Sequence, residues 1–198
     1  MLSPAHSSQG VTLIELVIGM AILAGMLALA APSMSVWMQN RQIRSAAMAL
    51  LNGLQLTRAT AVERNSVVML SLTTSLDNGC AASVNGPHWV ISQDDPTALC
   101  AATPDEKVAP RIVQRRSANE GTKNIHLDAD LSSFRFNGQG RFMDAGTSAV
   151  KIINVSHEAG GACVADGGQM RCLRVVASAA GQIRLCDPAA GVNDVRRC

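Results

Sequence analysis

Val11 to Ala31 is a run of 21 residues whose only charge is Glu15, and a glycine, Gly10, stands immediately before it. As a helix of roughly 1.5 Å per residue, such a run matches a bilayer core of about 30 Å. A carboxylate inside it costs about 2.5–3.5 kcal/mol at the membrane centre and less toward the edge, so Glu15 needs a partner. Two plainer readings compete. A simple membrane anchor leaves Glu15 an accident near the helix end, against the rarity of charge in such segments. A secretory signal finds a small-x-small site at Ala28-Leu29-Ala30. Against it stand the acid, the length and the missing basic n-region. Pro32, two residues past that site, fits a helix kink better than a mature start.

The stretch Gly10-Val11-Thr12-Leu13-Ile14-Glu15-Leu16-Val17, behind a short polar leader, resembles the class III signal of type IV prepilins. The resemblance implies that a prepilin peptidase cuts between Gly10 and Val11 and that Val11 becomes N-methylated. It implies that Glu15, fifth in the mature chain, pairs with the terminal amine of a neighbouring subunit. It also implies a proline 22 residues into the mature chain, where Pro32 stands as the helix kink.

Six cysteines, all after residue 79, form no C-x-x-C, and no histidine lies at zinc-ligand spacing, which argues against a metal site. An even count beyond a membrane segment reads as three disulfides in an oxidising compartment. This places the C-terminal domain outside the cytoplasm, in the periplasm if the cell is a Gram-negative bacterium, and the prepilin resemblance implies a single-pass inner-membrane chain that later enters a pilus or pseudopilus. The basic residues disagree, because Arg41 and Arg44 follow the span whereas Met1 to Gly10 holds only His6 and the terminal amine. The cysteines and the cleavage motif outweigh them. A formal charge of +2 is too small to argue for nucleic acid or anionic membrane by itself.

After Pro32 the helical pattern continues. Ile43, Ala47, Leu50, Leu51, Leu54 and Ala61 form one stripe, with Arg41, Arg44, Ser45, Asn52 and Gln55 opposite. Short β-type runs follow at 67–72, 88–92, 125–127, 133–136, 150–155, 174–177 and 182–185, separated by turn clusters such as Asn78-Gly79 and Asn137-Gly138. Val108 to Asn124, polar with Arg111, Arg115 and Arg116, reads as a surface loop. The expected fold is α+β: a long N-terminal helix packed on an antiparallel β-sheet domain. The domains are a leader over 1–10, a transmembrane half-helix over 11–31, an amphipathic half over 32–65 and a disulfide-bearing β domain over 66–198.

That domain resembles the GspH/FimT branch of pilin-like proteins. The resemblance rests on Leu56-Thr57-Arg58-Ala59-Thr60-Ala61-Val62-Glu63, on Trp89-Val90-Ile91 with Asp94, on Phe136-Asn137-Gly138-Gln139-Gly140 and on Gly181-Gln182-Ile183-Arg184. It implies a pilin-like fold and a role as minor pilin of a type IV pilus or pseudopilin of type II secretion. The partners it implies are prepilin peptidase, other pilins or pseudopilins and the inner membrane.

No nucleophile elbow, phosphate-cradling loop or paired histidine ligands occur, so neither an enzyme nor a cofactor is expected. Asp94-Asp95 before Pro96 reads as a turn rather than a calcium site, which needs about six or more oxygens. His88, His126 and His157 read as strand-edge or surface residues. Local pairing is expected for the cysteines, Cys80–Cys100, Cys163–Cys172 and Cys186–Cys198, each pair flanking one turn-rich segment among fifteen connectivities. DNA is the alternative partner. Some FimT-type minor pilins bind it through a C-terminal G-R-x-R element, of which Gln182 replaces one arginine and Arg184 remains. Arg184, Arg196 and Arg197 are the possible contacts. The last 28 residues hold five arginines against two aspartates, a net of +3. With no tyrosine and 3% aromatics, a base-stacking platform is not expected.

Overall fold

The structure, a computed structural model, describes residues 11–121, 124–144, 146 and 150–198, and gives the backbone alone for 28–33. The chain divides into two compact units, Met1–Trp37 and Met38–Cys198. Helix α1, Leu13–Glu63, contributes to both.

In the first unit the described large apolar side chains are exposed from Val11 and Leu13 through Met26 and Leu27, and again at Met34 and Trp37, while Val36 is half-buried. Among the described residues no helix is long and apolar enough to cross a membrane. The span read from the sequence runs on into residues 28–31, whose side chains lie outside the description.

In the second unit, α1 buries Ile43, Ala47, Leu50, Leu54 and Ala61 and leaves Arg41, Arg44, Ser45, Asn52 and Gln55 exposed. Leu51 sits at the margin of that stripe, half-buried. Thr57 and Thr60 are also buried, and the Thr57 hydroxyl donates to the Gly53 carbonyl at 2.8 Å, so it enters the core satisfied. The helix stops because Asn65 turns left-handed (φ 45°). The Ser66 N–H then reaches back to the Ala61 carbonyl and the Asn65 N–H to that of Val62, the paired bonds of a Schellman end.

Eight strands follow: β1 Val68–Thr73, β2 His88–Ser92, β3 Ile112–Arg116, β4 Ile125–Ala129, β5 Ser133–Phe136, β6 Val150–His157, β7 Leu173–Ser178 and β8 Ile183–Cys186. They make two antiparallel four-stranded sheets, ordered β3-β2-β1-β5 and β4-β6-β7-β8. The single sheet expected from the sequence is thus two. Leu70 pairs with Ile91 on one side and Phe134 on the other, and all three are fully buried. One core joins this sheet to Ile43 and Leu54 of α1 and to Leu127, Ile153, Val155 and Val175 of the second sheet.

One correction falls on 108–124. This stretch is not an uninterrupted loop, because Ile112–Arg116 pairs with β2 as its edge strand. Its sequence, Ile-Val-Gln-Arg-Arg, buries Ile112 and leaves Gln114 and Arg115 exposed. Polar residues on a solvent-facing edge blunt the strand and hide it from pattern reading.

Disulfides join Cys80 to Cys100, Cys163 to Cys172 and Cys186 to Cys198, with Cα separations of 6.2, 5.5 and 5.0 Å. The first lies in a small satellite core with Val90 and Ile112.

Candidate functional site

Glu15 stands in the first turn of α1, three residues after Thr12. Its Oε2 lies 3.5 Å from both the Thr12 backbone nitrogen and the Thr12 hydroxyl, and the Glu15 N–H donates to that hydroxyl oxygen at 3.4 Å. This is the reciprocal capping box, Thr-x-x-Glu, at long hydrogen-bond distances. Its carboxylate sits where the helix dipole favours negative charge. The acid inside the apolar run therefore has a partner within its own subunit. Thr12, which supplies it, was legible as a Ser/Thr three residues before an acid. Val11, directly before Thr12, is exposed. Gly10 lies outside the described residues, and Pro32 belongs to the part of α1 given as backbone only.

A second assembly of residues closes on Arg58. The β7–β8 hairpin turns through Ala179-Ala180-Gly181, its ends held by the Ser178 N–H on the Gln182 carbonyl at 2.9 Å. Gly181 has φ +82°, as the last position of such a three-residue turn requires. The carbonyl oxygen of Gly140 occupies the place of a side chain there, 1.9 Å from where a Cβ would stand. That same carbonyl accepts the Arg58 Nε–H at 3.1 Å. One guanidinium of α1 thus ties together the turn after β5 and the last hairpin, joining residues 82 apart in sequence.

At the C-terminal end, Arg184, Arg196 and Arg197 are all exposed. Arg196 is clamped by Asp194, Nη2 to Oδ2 at 2.6 Å, and this hydrogen bond holds the Asp194 carboxyl down at about 2. Arg171 is bound to Asp187 at 2.6 Å, and Arg174 donates to Asn154 at 2.8 Å. The net charge of +3 counted from sequence is thus carried by Arg174, Arg184 and Arg197, of which Arg174 is half-buried against the neutral Asn154. Only Arg184 and Arg197 of the three possible contacts lack a carboxylate partner among the described residues.

Asp94 is likewise engaged: both its oxygens accept from Arg111, at 2.7 and 2.5 Å, and this bond holds its carboxyl below the usual range. Asp95 accepts from the Thr97 N–H and hydroxyl, closing a turn. His157 corrects the surface reading, since it is 6% exposed. Its Nδ1 accepts the Ala159 N–H at 3.2 Å, which leaves Nε2 to donate to Gln42 Oε1 of α1 at 2.8 Å. Only His126 of the three is exposed, and burial pushes His88 below the ordinary histidine range.

Residues 46–181 match the family described as type II transport protein GspH. The chain belongs to that family. Its members are pilin or pseudopilin components that associate with one another, in the GspH/FimT branch of type IV pilin-like proteins. Arg58, Trp89, Gly140 and Gly181 lie inside the GspH match, whereas Gly10, Val11, Glu15, Arg184, Arg196 and Arg197 lie outside it. Among solved structures, the chain is similar to the type IV minor pilin FimU of Pseudomonas aeruginosa strain PAO1. In one crystal form the identity is 14%, over 75% of this chain and 91% of FimU, with a TM-score of 0.49. In a second form these values are 15%, 72%, 90% and 0.45. The solution structure of Escherichia coli GspH is similar at 12% identity, over 78% and 94% of the two chains, with a TM-score of 0.43. No curated protein matches by sequence.

Proposed function

We propose that this GspH-family chain is a non-enzymatic minor pilin or pseudopilin, cut by prepilin peptidase after Gly10, methylated at Val11 and assembled through its N-terminal helix. The observation that carries the reading is Glu15, held in the first turn of a 51-residue helix whose described large apolar side chains in the first unit are exposed at every position but Val36. Exposed apolar surface on that scale needs a cover, first lipid and then other helices. In the bilayer the chain is a single-pass inner-membrane protein with its disulfide-bearing domain in the periplasm. In the filament the Glu15 carboxylate exchanges its intrahelical cap for the Val11 amine of the adjacent subunit. Only one axial offset brings those charges together, so the pair also sets register.

Intact-mass and N-terminal analysis of the chain from a host with an active prepilin peptidase tests this. The mature protein should begin at methylated Val11, and a start at Ala31 or an uncut Met1 overturns the reading. A deletion strain assayed for twitching and for exoprotein release assigns the machine.

The exposed Arg184 and Arg197 favour a second reading, DNA binding for natural transformation. With two guanidiniums that lack a carboxylate partner among the described residues, the attraction is weak and independent of sequence. Engaging about two phosphates, affinity should fall about tenfold between 50 and 200 mM salt. In fluorescence anisotropy, Arg184→Ala with Arg197→Ala should remove whatever binding exists. Arg196→Ala should change little, because Asp194 already neutralises that arginine. Absence of binding at low salt eliminates this reading.

A further inference from the structure

Along β4, β6 and β7 alternate residues face the core, as Leu127, Val155 and Val175 do. The residues between them face the other way. There Asp128 stands opposite Asn154, and Asn154 opposite Arg174, in one row across three strands. The Arg174 Nε–H donates to Asn154 Oδ1 at 2.8 Å, and Asn154 Nδ2 donates to Asp128 Oδ2 at a long 3.4 Å. The amide thus stands between guanidinium and carboxylate, and the two form no ion pair.

This row lines a cleft of about 290 Å³, and Ser156, two residues along β6, adds a hydroxyl to it. One wall is the loop closed by Cys163–Cys172, which brings in Asp166. That loop is fixed, with the Val164 N–H on the Met170 carbonyl at 2.7 Å and the Gly168 N–H on that of Cys163 at 2.8 Å. Another wall is Pro188–Ala189, pinned by the Ala189 N–H on Asp187 Oδ1 at 2.9 Å. Among the described residues, Asp128, Asp166 and Arg174 have no ion-pair partner, and the Nη groups of Arg174 have no acceptor.

A cleft with one unpaired guanidinium and two unpaired carboxylates is complementary to a dipole rather than to a net charge. A phosphate would meet both acids, and a simple cation would leave the arginine unused. No cluster of three metal-ligating side chains occurs among the described residues. A neutral sugar could use the hydroxyl and the amide, yet it would leave all three charges uncompensated. A zwitterion answers each group. Its carboxylate accepts from the Arg174 Nη groups, and its ammonium, with three donors, reaches the acids. The volume lies at the low end of the about 300–1,000 Å³ usual for small-molecule sites, which suits one or two residues of peptide.

We propose that this cleft binds a small zwitterion, a free amino acid or dipeptide, with its carboxylate on Arg174 and its ammonium on Asp128 and Asp166. The inference stands apart from the assembly role.

The test titrates alanyl-alanine into the isotope-labelled full chain in detergent micelles. It follows the NMR resonance of the Arg174 Nε–H, assigned through its loss in Arg174→Gln. That resonance should shift and saturate with a Kd below about 10 mM. N-acetyl-alanyl-alanine lacks the ammonium and alanyl-alanine amide lacks the carboxylate, so each should bind about tenfold more weakly or worse. Asp128→Asn keeps the shape of an exposed side chain and removes its charge. It should weaken alanyl-alanine about tenfold and leave the acetylated peptide unchanged, a split that a misfolded cleft does not produce. No saturable shift at Arg174, equal binding of the three peptides, or equal loss of the free and acetylated peptides in Asp128→Asn overturns the proposal. Glucose binding as tightly as alanyl-alanine would make the cleft a sugar site and overturn it as well.

Discussion

Glu15→Ala subunits should be cleaved and inserted into the membrane, yet be depleted from sheared filaments or cross-linked assemblies about a hundredfold or more. In the proposed filament, removing the acid would leave the Val11 ammonium of a neighbour buried without its counter-charge. Stranding one partner of a buried pair costs about 3–5 kcal/mol, and each 1.4 kcal/mol is tenfold in occupancy. The capping box gives the experiment a second arm. Alanine removes both the charge and the helix cap, whereas Glu15→Gln retains a side chain that can reach back to the Thr12 N–H. If charge pairing governs assembly, Glu15→Gln should be excluded like Glu15→Ala, and Glu15→Asp should be partly active. A glutamine variant that assembles at wild-type levels would leave the acid as a helix cap only, and the charge-pair account would be wrong.

Gly181→Ala should destabilise the folded domain by about 3–4 kcal/mol. A residue with a Cβ at φ +82° is strained by about 1–2 kcal/mol. The new Cβ would also stand 1.9 Å from the Gly140 oxygen, so the carbonyl that Arg58 holds must move away. Losing that hydrogen bond to a charged donor adds about 1.5–3 kcal/mol. Denaturant titration of the detergent-solubilised full chain measures the change. Arg58→Met should cost only the hydrogen-bond share, and adding Gly181→Ala to it should cost less than the two changes summed, because they act through one carbonyl. An unshifted midpoint for Gly181→Ala would show that the hairpin relaxes freely and that the three residues are not coupled.

Arg58, Gly140 and Gly181 also mark where reading the sequence reached its limit. Each sits in a stretch that is recognisable by resemblance, yet nothing local says that they meet, because their contacts span 41 to 123 residues of chain. The helical stripe from Ile43 to Ala61 and the runs that became β1, β2, β5 and β7 were legible, since alternation or 3.6-residue spacing records which face is buried. β3 was not, because an edge strand buries so little that Gln-Arg-Arg can occupy it. His157 was hidden for the opposite reason: Ser156 and Glu158 beside it look like surface, and its burial depends on Gln42, 115 residues away. The division into two sheets depends on which strands pair, and short runs of similar composition do not encode that. The Thr12–Glu15 cap was within reach of the sequence, but the apolar run around it draws attention to the membrane rather than to the helix end.

The three disulfides bridge separations of 20, 9 and 12 residues, and none of them involves α1. A tensile load applied along that helix therefore meets no covalent stop in the domain. The force falls on the interdigitated stripe of Ile43, Ala47, Leu50, Leu54 and Ala61, on the Arg58 guanidinium, and on the Asn40 and Gln42 side chains bonded to Arg171 and His157. These contacts lie along the pulling axis and must slide together rather than peel one at a time. The cross-links armour the periphery against unravelling, while the grip on the helix depends on friction between packed surfaces.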